Sequence, residues 1–440
     1  MSGPVLMRTS STRLICSLLL FVCSGQLHAQ NPLARSGYLL DGRRVSVNVV
    51  WSGGDEGWQA VMANGEEVSA TLVMWGQLVE RSEPTLVFAD GEVVVDFLSL
   101  SSEHITVGRD PYEFSQRPLW HERSLPRQDV RGFVFQWPVE TTSRDQLRNA
   151  LAEDSTVDRV WFVDGEYLDG EIVRSVQEGG RTEELQLRRG ERTVAVAVGR
   201  VRAIRFASKQ SDGQEDKENR NDDSNPGIPS AHCQVGFQDG SYLDVSRLKS
   251  VDDAVEIVMR SGVRLSLSAS TFRRAICFFR PVREDVLWLA EIVPLDVRHV
   301  PFFSGGWPLG RNVNLWGGRL RRRDNEWYDH GLAMHSTTRV AYVLDEPFSY
   351  LRAQLALDVT TGQRGSVRYS VFTRSGDEDK WKSIYRSPVV RGGQTPLDLN
   401  LALDHARQLA LIVEYADQGD QLDRACWFSA RLVRDPQVER

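Results

Sequence analysis

Short runs of alternating apolar and polar residues recur along most of the chain, for example Val45–Val49 and Val93–Phe97. Such alternation places successive side chains on opposite faces of a strand. Many runs are separated by Asp-Gly or Asn-Gly dipeptides, which are strong signals for tight hairpin turns. These dipeptides include Asp41-Gly42, Asn64-Gly65, Asp90-Gly91, Asp164-Gly165 and Asp239-Gly240. The pattern predicts an all-β protein.

Two of these turns belong to a repeated segment. The stretch 164–169 reads DGEYLD, and 239–244 reads DGSYLD. The flanking apolar strands are 160–163 and 202–206 in the first copy and 234–237 and 274–278 in the second. A repeat of about fifty residues with four or five strands is typical of a small β-barrel or half-sandwich. Tyr38–Gly42 and Leu86–Gly91 resemble more distant openings of the same unit.

Composition divides the chain into segments. A disordered linker is predicted at 208–230, which has six acidic residues, three basic residues and no aromatic residue, because such a segment buries too little apolar surface to become ordered. The other predicted segments are a β-rich N-terminal region at 30–138, repeat units at 139–207 and 231–285, and a C-terminal module at 286–435. In the first unit, Ser143–Glu153 is predicted as a covering helix, with Ser143 and Gln146 in a capping box.

Residues 1–29 have the layout of a secretory signal peptide. Arg8 and Arg13 precede the apolar run 14–22, and Ala29 is a small residue at a suitable cleavage position. Removing these two positive charges would change the formal charge from −7 to −9. An acidic chain argues against a nucleic-acid partner, and no later segment is long and apolar enough for a membrane-spanning helix. We therefore expect a secreted protein, or one held in the periplasm or cell envelope.

An exported chain can form disulfide bonds, and Cys233 with Cys277 is the natural pair. Cys233 lies on the opening strand of the second repeat unit and Cys277 on its closing strand. A disulfide is geometrically reasonable if these strands pair, whereas two separately buried thiols are equally consistent with the burial habits of cysteine. Cys426 would remain single. No two of these cysteines have the C-x-x-C spacing of a zinc site.

From Val286 onward, Trp-rich and Gly-rich loops and longer alternating strands predict an antiparallel sandwich of jelly-roll type. The elements of this region are, in order, Trp316–Gly318, Tyr328–Ser336, Tyr342–Leu344, Phe348, Leu357-Asp358, Gly365–Val371 and Asp423–Leu432. This order resembles the NPCBM module, a carbohydrate-binding module first noted in family 98 glycoside hydrolases. The resemblance covers about a third of the chain. It implies a galactose-binding-like β-sandwich that holds sugars at its loop end, often with a structural calcium ion.

One position departs from the pattern of this family. The family usually has glycine where this chain has Ala333. If that position required a positive φ angle, the backbone there would have to differ.

Sugar binding needs an aromatic surface for the apolar face of the ring and a few polar groups for its hydroxyls. Trp316, Trp327, Tyr328 and Trp381 are the loop-like candidates for the aromatic surface, whereas Trp427 is predicted to lie in the core. His335 is the candidate for a hydroxyl contact, and a structural role is equally consistent. An interval of five residues on a strand places His330 and His335 on opposite faces, which argues against a zinc site and leaves His330 without a predicted role.

Calcium prefers carboxylate and carbonyl oxygens in loops. Asp358, at the end of a strand, and Asp423, before the last strand, are its candidate ligands, and solvated turn aspartates are the alternative. Arg319 and the run 321–323 form a basic stretch. It is interpreted either as a solvated strand edge or as a recognition site for sulfate or uronate groups.

The sequence contains no G-x-S-x-G, phosphate-binding loop or H-E-x-x-H motif. Its small β units leave little room for a glycosidase domain. The function predicted is that of an exported, non-catalytic carbohydrate-binding protein. The alternative is a cell-envelope scaffold whose sandwich no longer binds sugar and docks a partner protein; an enzyme of another type is third. A concave pocket with an aromatic and polar side chains would favour sugar, and a flat apolar patch would favour docking.

Overall fold

Antiparallel strands dominate the structure, a computed structural model. It describes residues 35–50, 58–62, 64–108, 120, 122–178, 181–208, 232–251, 253–301, 305–323, 326–376, 380–417 and 419–434. The predicted signal peptide and all but Ser208 of the predicted linker lie outside the described residues. The described residues belong to one compact unit. No helix among the described residues is long and apolar enough to cross a membrane. The predicted all-β fold class is confirmed.

Four β units precede the sandwich, and in each unit the opening strand pairs with the closing strand. The pairs are β1 with β4, β6 with β11, β12 with β16, and β17 with β21. The strands of the first two units are β1 (Arg35–Leu39), β2 (Arg44–Val50), β3 (Gln59–Met62), β4 (Leu72–Gly76), β5 (Leu78–Val79), β6 (Thr85–Val87), β7 (Gly91–Val94), β8 (Asp96–Leu100), β9 (His104–Gly108), β10 (Arg123–Pro126) and β11 (Gly132–Val134). Those of the two repeat copies are β12 (Asp158–Phe162), β13 (Tyr167–Glu178), β14 (Arg181–Arg189), β15 (Arg192–Ala197), β16 (Val201–Arg205), β17 (Cys233–Phe237), β18 (Tyr242–Val251), β19 (Ala254–Met259), β20 (Arg264–Ser268) and β21 (Ile276–Pro281).

The two repeat copies have the same strand order. It runs β15-β14-β13-β12-β16 in the first copy and β20-β19-β18-β17-β21 in the second. Their Asp-Gly turns also match, because Gly165 and Gly240 have φ angles of 96° and 100°. Glycine reaches this region at little steric cost. The repeat read from the sequence is therefore a repeat of the backbone.

Short helices precede the closing strands. They are the 3-10 helices Ser69–Thr71, Arg127–Asp129 and Val198–Arg200, and the α-helix α2 (Ala269–Ala275). The closing strands also join the units in pairs: β4 hydrogen-bonds to β21, and β11 to β16. The first unit thus pairs with the fourth, and the second with the third. A single apolar core, from Leu39 to Phe279, runs through all four units.

The predicted covering helix is α1 (Thr141–Ala152). Its buried Leu147 and Leu151 pack against Val134 and Ala203. The predicted capping box is wrong: the N-cap residue is Glu140, and no side chain caps the helix. Helix α1 therefore covers the β surface through its apolar face rather than through a cap.

The predicted disulfide is also wrong. The two strands do pair, but their register places Cys233 opposite Pro281. Cys233 packs in the core of the repeat units, whereas Cys277 packs in a separate cluster beside the sandwich. Both thiols are free and buried. They lie on different faces of the closed sheet, and a disulfide would require their Cβ atoms to be within about 4.5 Å.

The sandwich consists of two sheets. One has the order β24-β27-β35-β29-β33, with β22 beside β35, and the other has the order β23-β28-β34-β30-β31, with β32 beside β30. The strands from Val286 onward are β22 (Val286–Trp288), β23 (Asp296–His299), β24 (Gly310–Arg311), β25 (Leu320–Arg323), β26 (Glu326–Tyr328), β27 (Gly331–His335), β28 (Thr338–Val343), β29 (Tyr350–Leu357), β30 (Ser366–Arg374), β31 (Lys382–Arg386), β32 (Val390–Arg391), β33 (Leu397–Ala402), β34 (Gln408–Tyr415) and β35 (Arg424–Val433), of which β25 and β26 lie outside the two sheets. A 3-10 helix spans Val359–Thr361. Trp427 lies fully buried between the sheets, as predicted.

A third small sheet crosses from the repeats to the sandwich. Strand β26 pairs with β5, so that Trp327 lies opposite Leu78. Trp327 also packs in an apolar cluster with Met74, Leu78 and Phe278 of the β units. The sandwich is therefore continuous with the β units in both backbone hydrogen bonding and side-chain packing.

Candidate functional site

A cleft of about 470 Å³ opens at one loop end of the sandwich. Its wall includes His299, Trp307, His335, Asp420 and Arg424. His335 ends β27, and Trp307 comes from the loop that leads to β24. The rings of Trp307 and His335 stack with centroids 5.0 Å apart and an interplanar angle of 8°.

Trp316 extends this aromatic group. Its ring meets that of Trp307 edge to face, with centroids 5.6 Å apart. The guanidinium carbon of Arg424 lies 4.0 Å from the centre of the Trp316 ring, which is a cation–π contact. Trp316 still exposes 43% of its surface. The sequence prediction named Trp316 and His335 but missed Trp307, although the Trp-Pro pair in a Gly-rich loop was a usable signal.

Two neutral histidines supply polar groups to the cleft. His299 lies edge to face with His335, with centroids 5.8 Å apart, and its Nδ1 atom is 2.9 Å from the Thr338 hydroxyl. Burial lowers the pKa of both histidines below 6.5, and each is therefore neutral at pH 7. A neutral imidazole has one donor and one acceptor nitrogen. The buried Nε2 atom of His299 has no hydrogen-bond partner among the described residues.

The backbone before His335 is shaped by Gly331. A Cβ atom on Gly331, whose φ is +157°, would lie 2.7 Å from the Trp427 carbonyl oxygen. Ala333, where the family usually has glycine, lies in regular strand and is absent from the positive-φ residues of the described chain. Its partner across the sheet is Gly310. Alanine is therefore accommodated without backbone strain.

Trp327 and Tyr328 lie at the junction with the repeats rather than in the loop-end cleft. Trp327 is only 6% exposed, and its Nε1 atom donates to the Val79 carbonyl at 3.3 Å. Tyr328 packs on Phe428 with ring centroids 4.5 Å apart. The prediction that these two residues share a sugar-binding surface with Trp316 is corrected accordingly. Their aromatic area is used in packing.

The candidate calcium ligands are both buried and already hydrogen-bonded. One oxygen of Asp358 accepts hydrogen bonds from the Thr360 amide and hydroxyl at 2.9 and 2.6 Å. One oxygen of Asp423 accepts from the Ser366 amide at 2.8 Å. Burial raises the pKa of Asp358, and it raises that of Asp423 to about 6.

These two aspartates do not by themselves fit a calcium site, which takes six to eight oxygen ligands. Within the described residues, no group of three or more His, Cys, Asp or Glu side chains could hold a metal ion. Asp358 instead caps the 3-10 helix Val359–Thr361, and Asp423 holds the start of β30.

Asp329 and His330, beside the cleft-forming His335 in sequence, join the sandwich to the last repeat unit. Arg280 of β21 bonds Asp329 at 2.6 Å and contacts His330 Nδ1 at 2.7 Å. His330 Nε2 reaches Glu291 at 3.0 Å. Although burial opposes it, Arg280 lowers the pKa of Asp329 to about 2. His330, for which the sequence indicated no role, is therefore part of a junction ion-pair group.

The arginine run forms a second junction group. Arg321, 1% exposed, donates to Glu80 at 2.8 Å and to Asp145 of α1 at 2.7 Å. Arg319 bonds Glu92 at 2.9 Å, and Arg148 bonds Glu80 at 2.6 Å. The interpretation of this run as a solvated strand edge is wrong for Arg319 and Arg321. The buried Arg321 and the largely covered Arg319 face acids from β7, helix α1 and the segment between β5 and β6, while Arg323 remains exposed.

The sandwich and its loop-end cleft lie in the part of the chain that is similar to a known domain family. Residues 293–433 match the model of the NPCBM/NEW2 domain family. The stretch contains every cleft residue named above, and the resemblance read from the sequence is confirmed for this third of the chain. No curated protein matches the chain.

Three solved structures illustrate the similarity. The first is a CBM51-2 and INT domain structure with GlcNAc from Clostridium perfringens ZmpB, with 16% identity, a TM-score of 0.30 and coverage of 44% of each chain. The second is a CBM51 from Clostridium perfringens GH95 with methyl-galactose, with 16% identity, a TM-score of 0.30 and coverage of 34% of this chain and 99% of that one. The third contains tandem CBM51 modules of Sp3GH98 from Streptococcus pneumoniae, with 8% identity, a TM-score of 0.30 and coverage of 63% of this chain and 88% of that one. The chain spans less than half the length of the first. Overlaps this weak establish neither a ligand nor an activity for this chain.

Proposed function

We propose that this protein binds carbohydrate in the loop-end cleft of its sandwich, without hydrolysing it, after export from the cell. The observation that carries the proposal is the stack of Trp307 on His335 with Trp316 beside it. Aromatic rings pack against the apolar face of a sugar ring, and neutral histidines can donate to and accept from its hydroxyls. The family match to a carbohydrate-binding module supports the same ligand class.

Binding without hydrolysis is supported by the charged groups of the cleft. A glycosidase needs two carboxylates about 5 to 10 Å apart across the scissile bond. Among the described residues, Asp420 is the one carboxylate in the cleft wall, and Arg424 is the one basic residue. Asp420 and Arg424 are suited to fixing hydroxyl groups.

A glycan array probed with the purified protein, with calcium and with a chelator, tests the proposal. Glycans found there are then titrated against Trp307→Ala and His335→Ala, which should weaken binding while thermal unfolding stays unchanged. Trp381→Ala is the matched control, because Trp381 is 38% exposed beneath Arg374 and lies outside the cleft. Absence of binding to any glycan would refute the proposal. Unfolding of His335→Ala would assign that residue to the fold instead.

A second candidate, protein docking in the cell envelope, is favoured by one apolar surface. Val293, Leu295, Val297 and Val300, on and around the edge strand β23, are all exposed. Exposed apolar residues that cluster on one edge are typical of interaction surfaces. The substitution Leu295→Ser separates the two functions, since it should leave glycan affinity unchanged and weaken any association with envelope protein.

A further inference from the structure

A second cleft, of about 350 Å³, lies where the first β unit meets the sandwich, and it shares no residue with the loop-end cleft. We name it the junction cleft. Its wall includes Arg35, Tyr38, Arg44, Arg322, Glu326, Gln354 and Asp398. A volume of this size is within the usual range of small-molecule sites. Both parts of the chain are needed to form it.

Three arginines line the junction cleft against two carboxylates. Glu326 already pairs with Arg322, and Asp398 accepts a hydrogen bond from Gln354 at 2.9 Å. Neither Arg35 nor Arg44 forms an ion pair within the described ranges of the chain. The buried Nε atoms of Arg35 and Arg322 also lack hydrogen-bond partners among the described residues. The cleft therefore has more cationic donors than its own acceptors satisfy.

A chain of hydrogen bonds places a hydroxyl group among these arginines. Tyr328 Oη donates to Gln354 Oε1 at 3.1 Å, and Gln354 Nε2 donates to Tyr38 Oη at 2.7 Å. Because Tyr38 Oη accepts from Gln354, its own proton is available to a ligand. The guanidinium of Arg44, directly across the strand pair from Tyr38, lies 5.6 Å from the centre of its ring.

Positive charge also lies behind the Tyr38 ring. Arg431 lies on β35, and its buried guanidinium is 5.7 Å from the centre of the Tyr38 ring. Burial and the neighbouring Arg352 lower the pKa of Arg431 to about 10. Positive charge held out of water without a matching anion is unfavourable. An anion bound beside Tyr38 would offset that cost.

We propose that the junction cleft binds the carboxylate or sulfate group of an acidic saccharide. Guanidinium groups bind both oxyanions through paired, charge-assisted hydrogen bonds, and Tyr38 adds a hydroxyl donor. Gln354 and the Tyr38 ring are suited to the polar and apolar parts of the attached sugar. The saccharide part of this assignment rests on the proposed function, whereas the oxyanion part rests on the cleft itself.

Calorimetric titration of the purified protein tests the assignment. The probes are a galacturonate oligosaccharide, galactose 6-sulfate, neutral galactose and inorganic sulfate. We expect one or both acidic sugars to bind at the junction cleft, with affinity that falls as salt is added. Arg44→Gln and Arg35→Gln should each weaken this binding about tenfold, as expected for loss of a charged hydrogen bond. Arg43→Gln is the matched control, because Arg43 is exposed, pairs with Asp41 and is outside the cleft wall.

A loop-end variant separates this assignment from the proposed function. Trp307→Ala should weaken binding of neutral sugar and leave binding of the acidic sugar intact. Unchanged acidic-sugar affinity in both arginine variants would overturn the assignment, as would loss of acidic-sugar binding in Trp307→Ala. Inorganic sulfate that binds as tightly as the sulfated sugar would overturn the saccharide part. Acidic-sugar binding that depends on Arg44, in a protein that binds no neutral sugar, would contradict only the proposed function.

Discussion

Two buried carboxylates, one at each end of the sandwich, show how differently its ends are built. Glu80 reaches the junction from the segment between β5 and β6 and is surrounded by Arg148, Arg319 and Arg321. Although burial opposes it, these guanidiniums lower the pKa of Glu80 to about 2. Asp423, near the loop end, is equally inaccessible, but burial raises its pKa to about 6, and the neighbouring Asp420 adds to the rise. Burial alone therefore does not decide the charge state. The buried carboxylate at the junction is compensated by guanidinium groups, whereas the buried carboxylate near the loop end is not.

Trp316 at the loop end and Trp327 at the junction show the same difference between the two ends. Trp316 and Trp327 each have an arginine guanidinium 4.0 Å from the ring centre, supplied by Arg424 and Arg319 respectively. Trp327 packs edge to face on Tyr242, with ring centroids 5.1 Å apart, and is closed to solvent. Trp316 remains open. The same local contact serves packing at one end and presents a surface for a ligand at the other.

The largest expected effect is a loss of folding stability when the ion pairs of Arg321 at the junction are removed. Arg321→Met keeps much of the side-chain volume but leaves Glu80 and Asp145 without their central partner. Removal of one member of a buried ion pair typically costs about 3–5 kcal/mol. Urea denaturation at pH 7 should show a loss of that size. Arg323→Met, in an exposed residue of the same run, should change the free energy of unfolding by less than about 0.5 kcal/mol. Equal effects of the two substitutions would refute the distinction.

A smaller change in folding stability, this time a gain, is expected when Asp423 near the loop end is replaced. Because the folded-state pKa of Asp423 is raised, the folded protein holds its proton more tightly than the unfolded chain, and stability falls as pH rises from about 4 to about 6. Asp423→Asn removes that penalty and keeps an oxygen for the Ser366 amide. Above pH 6 the variant should be about 1–2 kcal/mol more stable, at roughly 1.4 kcal/mol per pKa unit. Chemical denaturation at pH 4 and pH 7.5 checks this, and a gain at pH 4 alone would contradict it.

The repeats could be predicted from the sequence because their determinants are local. Each Asp-Gly turn needs two adjacent residues, and alternation fixes which side chains face the core. The junction could not be predicted in this way. Arg321 meets partners 241 and 176 positions away, Glu80 and Asp145, and no short pattern encodes that meeting. The predicted disulfide between Cys233 and Cys277 was wrong for a related reason. The pairing of their strands was predicted, but its register, which includes a bulge after Gly236, was not.

The loop-end cleft could be predicted from the sequence only in part. Trp316 and Trp327 lie in similar loop-like sequence, and what distinguishes them is the repeat region packed over Trp327. The stack on His335 required bringing together Trp307 and β27, which are separated by two strands of another small sheet. Family resemblance supplied His335 and Trp316 but not the residues that complete the cleft.

Removing the open tryptophan should have a moderate effect on binding and almost none on folding. Trp316→Ala is expected to weaken glycan binding by about 1 kcal/mol, the usual contribution of an aromatic contact beyond burial, which is about fivefold in Kd. Trp381→Ala should leave Kd unchanged. Calorimetric titration with the glycan found on the array gives both values. A loss of thermal stability in Trp316→Ala comparable to that in Arg321→Met would show that the loop end is structural as well.

The smallest expected effect is the change of glycan affinity with pH. It allows the loop end and the junction to be compared on the same pH scale. Because burial lowers the pKa of both His299 and His335, their neutral forms are favoured near neutral pH, and affinity should fall as the pH is lowered and these imidazoles become charged. Glu80, whose pKa is lowered to about 2, contributes stability that is complete above pH 4.5 and is lost only as pH falls toward 2. Affinity should therefore fall at a pH where the junction remains fully stabilised. Titrations at pH 7.5 and pH 5, with thermal unfolding at each pH, test this order. Unchanged affinity at pH 5 would contradict this order, and parallel loss of affinity and stability would mean that the two ends are coupled.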